Sequence, residues 1–258
     1  MITTEQLKEL RDATGVSIMQ CKKALEEAGG DMEKALMIMK KKSSDIAAKK
    51  ADRDASEGLV VVKSAPGKAV MVTLNCETDF VAKNDDFVAL VNTLADKALA
   101  EGVEKMSAEA PQMINELIQK IGENIRLGEV KEFSGSTIGS YVHNGKTGVV
   151  VVLDGGTETV AKDVAMHIAA MNPSYTSRAD VPESATTMAR ELFQKEVDES
   201  GKPEDIKAKM LDGKLTTYFK EQSLLDQPFV KNPDQTVEKL IAGAGAKLVS
   251  WTRIAIGK

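Results

Sequence analysis

The chain repeats one residue pattern at a spacing of 79 residues, and this duplication is the strongest constraint on its fold. Asp79 of the first copy corresponds to Glu158 of the second, whereas Phe80 corresponds to Thr159. If both copies fold alike, the fold does not need the aromatic ring. Phe80 is therefore a candidate for contacting another molecule; the alternative is that it fills a gap particular to the first copy. The identical pairs include Val72 and Val151, Leu74 and Leu153, Thr78 and Thr157, Val81 and Val160, Ala82 and Ala161, and Lys83 and Lys162.

The residue pattern of each copy predicts two strands followed by a helix. Such units form open sheets covered by helices, so the predicted fold class is α+β. We expect copy one to occupy residues 55–136, and copy two to occupy 137–180 together with 223–258. The hairpin turn of copy two is predicted at Asn144-Gly145. The predicted elements are strands over 59–63, 70–74, 125–133, 138–143 and 149–153, and helices from Thr78 through Ala98, over 108–122 and from Thr157 through Ala169.

The residue pattern over 1–54 predicts a module of three helices followed by a linker. Gly29-Gly30 is expected to end its second helix, because glycine accepts the left-handed conformation there. Residues 40–57 are rich in lysine with little apolar periodicity, which predicts a solvated helix end and linker. RNA contact is the weaker alternative there, because aromatic residues are not interleaved. The expected starts of the three helices are Thr3 with Gln6 in a capping box, Ser17 with Gln20 in another, and Asp31.

Residues 181–222 interrupt the second copy with two apolar stripes at helical spacing. Ser200-Gly201-Lys202-Pro203 joins them, since glycine ends helices and proline opens them. The pattern predicts an inserted antiparallel helical hairpin, which could mediate a homodimer or a second partner contact. After it we expect an extended segment over 227–230, a short helix capped by Thr236, and a closing strand over 246–256.

The net charge of −5 gives no overall basic field, so direct binding to nucleic acid is not expected. No apolar run approaches the ~18 residues that cross a bilayer. The N-terminus also lacks the apolar core of a signal peptide. Two cysteines are too few for a disulfide framework, and a reducing cytoplasm is the expected location.

The sequence offers little for catalysis or for binding a metal or cofactor. Residues 243–247 have the wrong spacing for a phosphate-binding loop. His143 and His167 do not lie near a cysteine or an acidic pair with metal-ligand spacing. A hydrolase that uses Cys76 is one alternative, but a free thiol at the end of a buried strand is usually packing. We interpret the chain as a binding protein that is not an enzyme and needs no cofactor.

Residues 75–84, Asn-Cys-Glu-Thr-Asp-Phe-Val-Ala-Lys-Asn, resemble the signature of the elongation factor Ts family. The N-terminal residues look like that family's first module, which itself resembles ubiquitin-associated (UBA) domains. Several specific motifs in the right order make this stronger than a single match. Besides 75–84, the matching segments are 10–15, 21–25, 120–124, 139–143, 166–170 and 227–230.

The resemblance implies a guanine-nucleotide exchange factor for the translational GTPase elongation factor Tu. It implies a UBA-like three-helix module, a core of two related subdomains and a protruding helical hairpin. In the family the Asp-Phe pair approaches the GTPase near its nucleotide-bound magnesium, which assigns Asp79 and Phe80 that role. The other contact residues that it implies are Thr78 and Val81 beside the pair, Ile121, Gly122 and His143 in the core, and Arg11, Ile18 and Met19 in the first module.

The chain departs from the family pattern in a few places. Ile18 stands where Met is common, and Gln20 stands where Asp is common. Longer members carry a C-terminal helical tail, whereas this chain ends at Lys258 just after its last predicted strand, so we expect a lower affinity for the partner. We expect Asp79 to hold Phe80 in place, with competition for the metal as the alternative.

Two further alternatives remain open from the residues alone. The chain could be a non-catalytic adaptor that binds proteins through its UBA-like module. His143, beside the predicted hairpin turn, could be an ordinary strand-end residue. His167, in the middle of a predicted helix, is expected to be structural.

Overall fold

The computed structural model describes residues 2–257, and these form two compact units. The first unit contains the residues up to Ser134, Val142–Gly148 and the residues from Ile254 onward. The second contains Gly135–Tyr141 and Val149–Arg253. Both units combine helices with small sheets, which confirms the predicted α+β class.

Three helices begin the first unit: α1 (Thr4–Thr14), α2 (Ile18–Glu27) and α3 (Met32–Lys50). Their predicted N-caps are confirmed, because the side chains of Thr3, Ser17 and Asp31 each accept a backbone N–H from the first turn. Thr3 and Gln6 form the full capping box with reciprocal bonds. The side chain of Gln20 instead accepts a hydrogen bond from Gln119, at 3.2 Å.

The helix end predicted within residues 40–57 extends to Lys50, and part of it is packed against the core instead of solvated. α3 continues to Lys50 because Ile46 and Ala47 pack against the core of the first sheet. The Lys50 ammonium also donates to the carbonyl oxygen of Gly122. The lysines on both sides of Ile46 and Ala47 concealed the apolar contact in the sequence.

The first sheet has the order β1-β2-β3 and is antiparallel throughout. Its central strand is almost wholly buried, and Phe87, Val91 and Leu94 of the covering helix pack against it. The elements of this layer are β1 (Glu57–Ala65), β2 (Lys68–Cys76), α4 (Asp79–Ala82), α5 (Asp85–Glu101), α6 (Val103–Ile121) and β3 (Ile125–Ser134).

The prediction of one helix from Thr78 through Ala98 is wrong, since the chain forms α4 and then α5. Lys83 ends the short helix, and Asn84 begins the next one by accepting the backbone N–H of Asp86 at 3.0 Å. An asparagine side chain competes for backbone donors in this way and favours a helix start over a helix interior. The apolar periodicity on both sides of Asn84 hid the break.

The second sheet has the order β4-β5-β8, which matches the order in the first sheet. Its helix α7 runs without a break over Glu158–Met171. A buried cluster that includes Val151, Val164 and Ile168 joins sheet and helix. The remaining elements are β4 (Thr137–His143), β5 (Thr147–Asp154), α8 (Glu183–Asp198), α9 (Glu204–Gln222), β6 (Pro228–Phe229), β7 (Asn232–Thr236), α10 (Val237–Gly243) and β8 (Lys247–Ala255).

α8 and α9 are the two helices of the predicted hairpin. They are held together by Leu215 and Phe219, and by Phe193, whose ring contacts that of Tyr218 edge-on with centroids 6.0 Å apart. β7 was not predicted, and it pairs with β6 after the hairpin. The division into four segments made from the sequence stays a prediction. Within residues 2–257, no helix has both the length and the apolar content needed to span a membrane.

Candidate protein-binding site

Phe80 lies on α4 with its ring turned to solvent. The residue is 82% exposed, whereas the next two residues, Val81 and Ala82, are 9% and 2% exposed. Val81 and Ala82 belong to the buried cluster of the first sheet, so they fix the short helix to the core. Among residues 2–257, the most exposed large apolar side chain therefore stands on an anchored element.

The N-cap of α4 in copy one and the N-cap of α7 in copy two have the same geometry. Thr78 has φ −125° and ψ 155°, and its hydroxyl oxygen accepts the Val81 N–H at 3.3 Å. Thr157 has φ −129° and ψ 154°, and it accepts the Val160 N–H at 3.3 Å. The duplication seen in the sequence is therefore a duplication of local structure.

The carboxylate of Glu123 ties the start of α4 to the end of α6. One oxygen, Oε2, accepts the backbone N–H groups of Glu77 and Thr78 at 3.1 and 3.0 Å. The other, Oε1, accepts the Thr78 hydroxyl at 2.7 Å. Because Glu123 directly follows Ile121 and Gly122, these bonds bring the two predicted core contacts close to Thr78. Sequence reasoning missed this role, since the partners are 45 residues apart.

A reciprocal set of bonds completes this contact. The Glu77 carboxylate accepts the Asn124 backbone N–H at 2.6 Å and an Arg53 guanidinium N–H at 3.4 Å. The backbone hydrogen bond from Asn124, followed by the charge of Arg53, holds the pKa of Glu77 below its usual value. The buried Asn124 amide donates to the carbonyl oxygens of Ala51 and Arg53 at 3.3 and 2.7 Å. Three chain segments thus meet beneath the helix that carries Phe80.

Asp79 forms an ion pair with Lys83, one turn later, at 2.6 Å. The hydrogen bond from Lys83 lowers the pKa of Asp79, and the same bond raises the pKa of Lys83. Both groups are exposed, so this pair adds little to stability. Thr78, rather than Asp79, supplies the side chain that caps the helix. The ion pair therefore spans the outer side of the turn that carries Phe80.

His143 is exposed at the end of β4, next to the Asn144-Gly145 turn. Its ring nitrogen Nε2 lies 3.4 Å from the Asn144 amide. The positive charge of Lys146, in the same turn, contributes to lowering the pKa of Asp79. The larger cause of that lowering is the hydrogen bond from Lys83.

The N-terminal module reaches this region through the turn between α1 and α2. Gly15, in this turn, lies close to the Lys120 side chain: a Cβ atom placed on Gly15 would be 3.0 Å from Cε of Lys120. The Lys120 ammonium in turn forms an ion pair with Asp86 at 2.6 Å. Lys120 precedes Ile121 and Gly122. Arg11, Ile18 and Met19 are thus joined to the α4 region indirectly, through this turn. All three are exposed, Ile18 at 50% and Met19 at 65%.

The environment of Cys76 argues against a nucleophile. Burial, together with the charge of Glu123, raises the pKa of the thiol to about 12. The thiol therefore stays protonated at neutral pH, and it donates to the carbonyl oxygen of Thr78 at 3.1 Å. Cys76 helps to position the residue before α4.

His167 is a buried structural residue, as expected. Its Nδ1 accepts the Val230 backbone N–H at 3.1 Å, so the proton lies on Nε2, which donates to Gln227 Oε1 at 2.8 Å. Burial lowers the pKa of this imidazole. Across the described part of the chain, residues 2–257, no three His, Cys, Asp or Glu side chains are grouped to hold a metal ion.

Comparison with known proteins identifies the family. The model of the elongation factor Ts family matches residues 77–258. Elongation factor Ts of Alcanivorax borkumensis is 44% identical over 265 residues, covering 98% of this chain and 93% of that protein. The proteins of the same name from Hahella chejuensis and Alkalilimnicola ehrlichii are each 42% identical, and each alignment covers 100% of this chain and 92% of the relative. With these matches along nearly its whole length, the chain belongs to the elongation factor Ts family and is a translation elongation factor.

Proposed function

We propose that the chain binds elongation factor Tu in its GDP form and speeds GDP release by inserting Phe80 beside the magnesium and nucleotide site. The observation that carries the proposal is the 82% exposure of Phe80 on a helix whose neighbouring residues are buried. An exposed aromatic ring gains free energy when a partner covers it. Because buried neighbours hold the helix that carries the ring, the ring would contact the partner at one defined position.

Exchange requires only reciprocal weakening of two binding events. If the factor and GDP each disfavour the other on one GTPase, each lowers the affinity of the other by the same factor. About 1.4 kcal/mol of coupling weakens nucleotide binding tenfold. An aromatic anchor in an interface contributes about 2–4 kcal/mol. One inserted ring can therefore supply a large part of the coupling, and no covalent chemistry is needed.

The other contact residues support this insertion in our proposal. Thr78 and Val81 frame the ring, and Asp79 braces it through Lys83. Ile121, Gly122 and His143 provide neighbouring contacts to the GTPase domain. Arg11, Ile18 and Met19 form a separate contact edge on the N-terminal module. Two areas of contact would let the partner stay bound while the nucleotide leaves.

The test is stopped-flow release of a fluorescent GDP analogue from elongation factor Tu. Phe80→Ala is expected to lower the maximal stimulated rate about 30-fold or more, because the lost anchor removes about 2 kcal/mol of coupling. Val249→Ala is the matched control, since Val249 is also exposed, at 62%, and lies on β8 outside the proposed contacts. Undiminished stimulation by Phe80→Ala would rule out the wedge.

An adaptor acting only through the N-terminal module is the second candidate, favoured by the exposed Ile18 and Met19. Removal of residues 1–54 is a poor test, because Ile46 and Ala47 of α3 pack against the core of the first sheet. Ile18→Asp with Met19→Asp changes only exposed side chains. An adaptor would lose all binding to its partner in this variant, whereas the proposed exchange factor keeps a weakened core contact and measurable exchange.

The proposal places the chain in the cytoplasm with the translation machinery. It involves no contact with a membrane and no direct contact with nucleic acid. Self-association through the hairpin is a further proposal, based on Met188 and Leu192 of α8, which are 72% and 57% exposed. Sedimentation velocity with Met188→Ser and Leu192→Ser compared with the unaltered chain checks it.

A further inference from the structure

The two copies also differ just before their third strands, at the residue that follows a glycine with positive φ. α6 is followed by Gly122 with φ 90°, then by Glu123, and β3 begins at Ile125. α10 is followed by Ala244, then by Gly245 with φ 67° and Ala246, and β8 begins at Lys247. The left-handed glycine is kept in both copies. The next residue is a glutamate in copy one and an alanine in copy two.

The partner of this position differs in the same way. Glu123 binds the backbone of Glu77 and Thr78, just before α4. In copy two the residue before Thr157 is Gly156, and a Cβ atom there would come within 2.9 Å of the Ala246 Cβ. Copy two therefore closes this contact by packing small residues together, without a carboxylate. The same fold forms with either arrangement.

We propose that Glu123 is a positioning residue for exchange: its carboxylate sets the direction in which α4 presents Phe80. This inference rests on the proposed function of Phe80. The copy that lacks the ring also lacks the carboxylate. A contact needed only for folding would be expected in both copies, whereas a contact that serves the ring is needed in one.

The geometry gives the route by which Glu123 acts. α4 has only four residues, so its direction depends on how its first turn is held. Glu123 accepts the N–H and the hydroxyl hydrogen of Thr78, and the same hydroxyl oxygen then accepts the N–H of Val81. Hydrogen bonds to an ionised carboxylate are stronger than those between neutral groups. Phe80 lies between the two residues that this chain of bonds fixes.

Packing within residues 2–257 does not hold the Phe80 ring in place. Because Phe80 is 82% exposed, its direction is set by the backbone that carries it. Small misplacements of a group that acts on a reacting or bound partner can cost up to about 100-fold in rate. Loosening the bonds to Thr78 should therefore reduce exchange without removing the docking surface.

The experiment measures stimulated GDP release by Glu123→Ala as a function of factor concentration. Alanine is the residue that copy two carries at the corresponding position. The maximal rate is expected to fall about tenfold, with a half-saturating concentration changed less than about threefold. Glu123→Gln keeps a carbonyl oxygen for the backbone N–H groups and an amide that can bond to the Thr78 hydroxyl oxygen, so it is expected to restore most of the rate. Glu129→Ala is the control, because Glu129 is an exposed glutamate on β3.

A double-variant cycle separates this inference from the proposed function. If Glu123 acts through the ring, Glu123→Ala has no further effect in the Phe80→Ala background. An equal loss in both backgrounds, or no loss from Glu123→Ala alone, would overturn the positioning role and leave the wedge proposal standing. No loss from Phe80→Ala would instead overturn the proposed function.

Folding of each variant is followed by circular dichroism and thermal melting. If Glu123→Ala does not fold, Glu123→Asp replaces it in the same cycle. Aspartate keeps the charge but withdraws the carboxylate by one methylene, so its bonds to Thr78 are lengthened. The same loss in maximal rate and the same absence of a further loss with Phe80→Ala are expected, and an additive loss contradicts the inference.

Discussion

The two copies begin their helices with the same threonine cap but differ in what the cap presents. In copy one, α4 carries an exposed Phe80 and is held by Glu123. In copy two, the corresponding residues are Thr159 and Ala246, and Gly156 packs closely on Ala246. The cap is thus what the fold requires. The ring and the carboxylate are additions that the fold does without in one copy, which points to a task outside the subunit.

The copies also differ in the helix that the cap begins. α4 ends after four residues, and Asn84 starts a new helix, whereas α7 continues to Met171. In α7, the position that corresponds to Val88 is His167, which holds Gln227 and Val230 of the segment after the hairpin. Copy one uses its short helix to present a side chain. Copy two uses its long helix to anchor an insertion.

The largest expected effect is at Gly139 of β4. A Cβ atom there would lie 2.2 Å from backbone atoms of Ala161 and Lys162, so α7 can lie on the strand only over a glycine. Gly139→Val should lower the free energy of unfolding by about 3 kcal/mol, measured by urea denaturation. Gly213→Ala is the control, since a Cβ atom on this helical glycine meets nothing within 4 Å. It should stabilise slightly, by about 0.5–1 kcal/mol. A well-tolerated valine at 139 would contradict this account of α7.

The next effect is expected at His167. His167→Val installs the residue type of Val88 and leaves the Val230 N–H and the Gln227 side-chain oxygen Oε1 without their buried partner. Loss of one partner of a buried hydrogen bond should cost about 2 kcal/mol of unfolding free energy. Thermal and urea unfolding at about pH 7.5, above the ordinary histidine pKa, measure this cost. If copy two did not need the histidine as an anchor, the substitution would be neutral.

The same residue gives a pH dependence. Its pKa is lowered in the folded chain from an ordinary value of 6.5, so the unfolded chain takes up the proton first as pH falls. The contribution of His167 is complete above pH 6.5 and is lost progressively below it, down to the lowered folded pKa. Urea unfolding from about pH 7.5 to about pH 5 should show this loss in the unaltered chain. The part due to His167 should be missing in His167→Val.

A smaller effect is expected at Glu77, whose counterpart in copy two is Gly156. Glu77→Ala removes the carboxylate that accepts the Asn124 N–H and should cost about 1 kcal/mol of unfolding free energy. Glu158→Ala, an exposed acidic residue in the first turn of α7, is the matched control and should change stability by less than about 0.5 kcal/mol. Equal losses of unfolding free energy would show that the Glu77 carboxylate contributes no more to stability than an exposed acidic side chain.

The sequence was sufficient where one residue decides local structure. The caps at Thr3, Asp31 and Thr236 and the strand-turn-strand pattern of each copy follow from local chemistry. The aromatic residue without a counterpart at position 80 was likewise visible by comparing the copies.

The features that could not be predicted depend on distant partners. Glu123 acts on residues 45 positions away, and its role was hidden in a motif noted only for its family likeness. The extension of α3 depends on Ile46 and Ala47 meeting the core of the first sheet. The break at Asn84 is the exception, because it is local: capping competes with continuing a helix, and periodicity does not resolve that competition. Aligning Ala246 with Glu123 required the shared strand order of the two sheets.

Phe80→Thr tests the central claim most directly, because it gives copy one the residue that copy two carries. The account predicts that the free energy of unfolding in urea changes by less than about 0.5 kcal/mol, since the ring is exposed, while stimulated GDP release falls about 30-fold or more. Exchange at the unaltered rate would contradict it. So would a large loss of stability, which would show that the ring serves the fold of its own subunit.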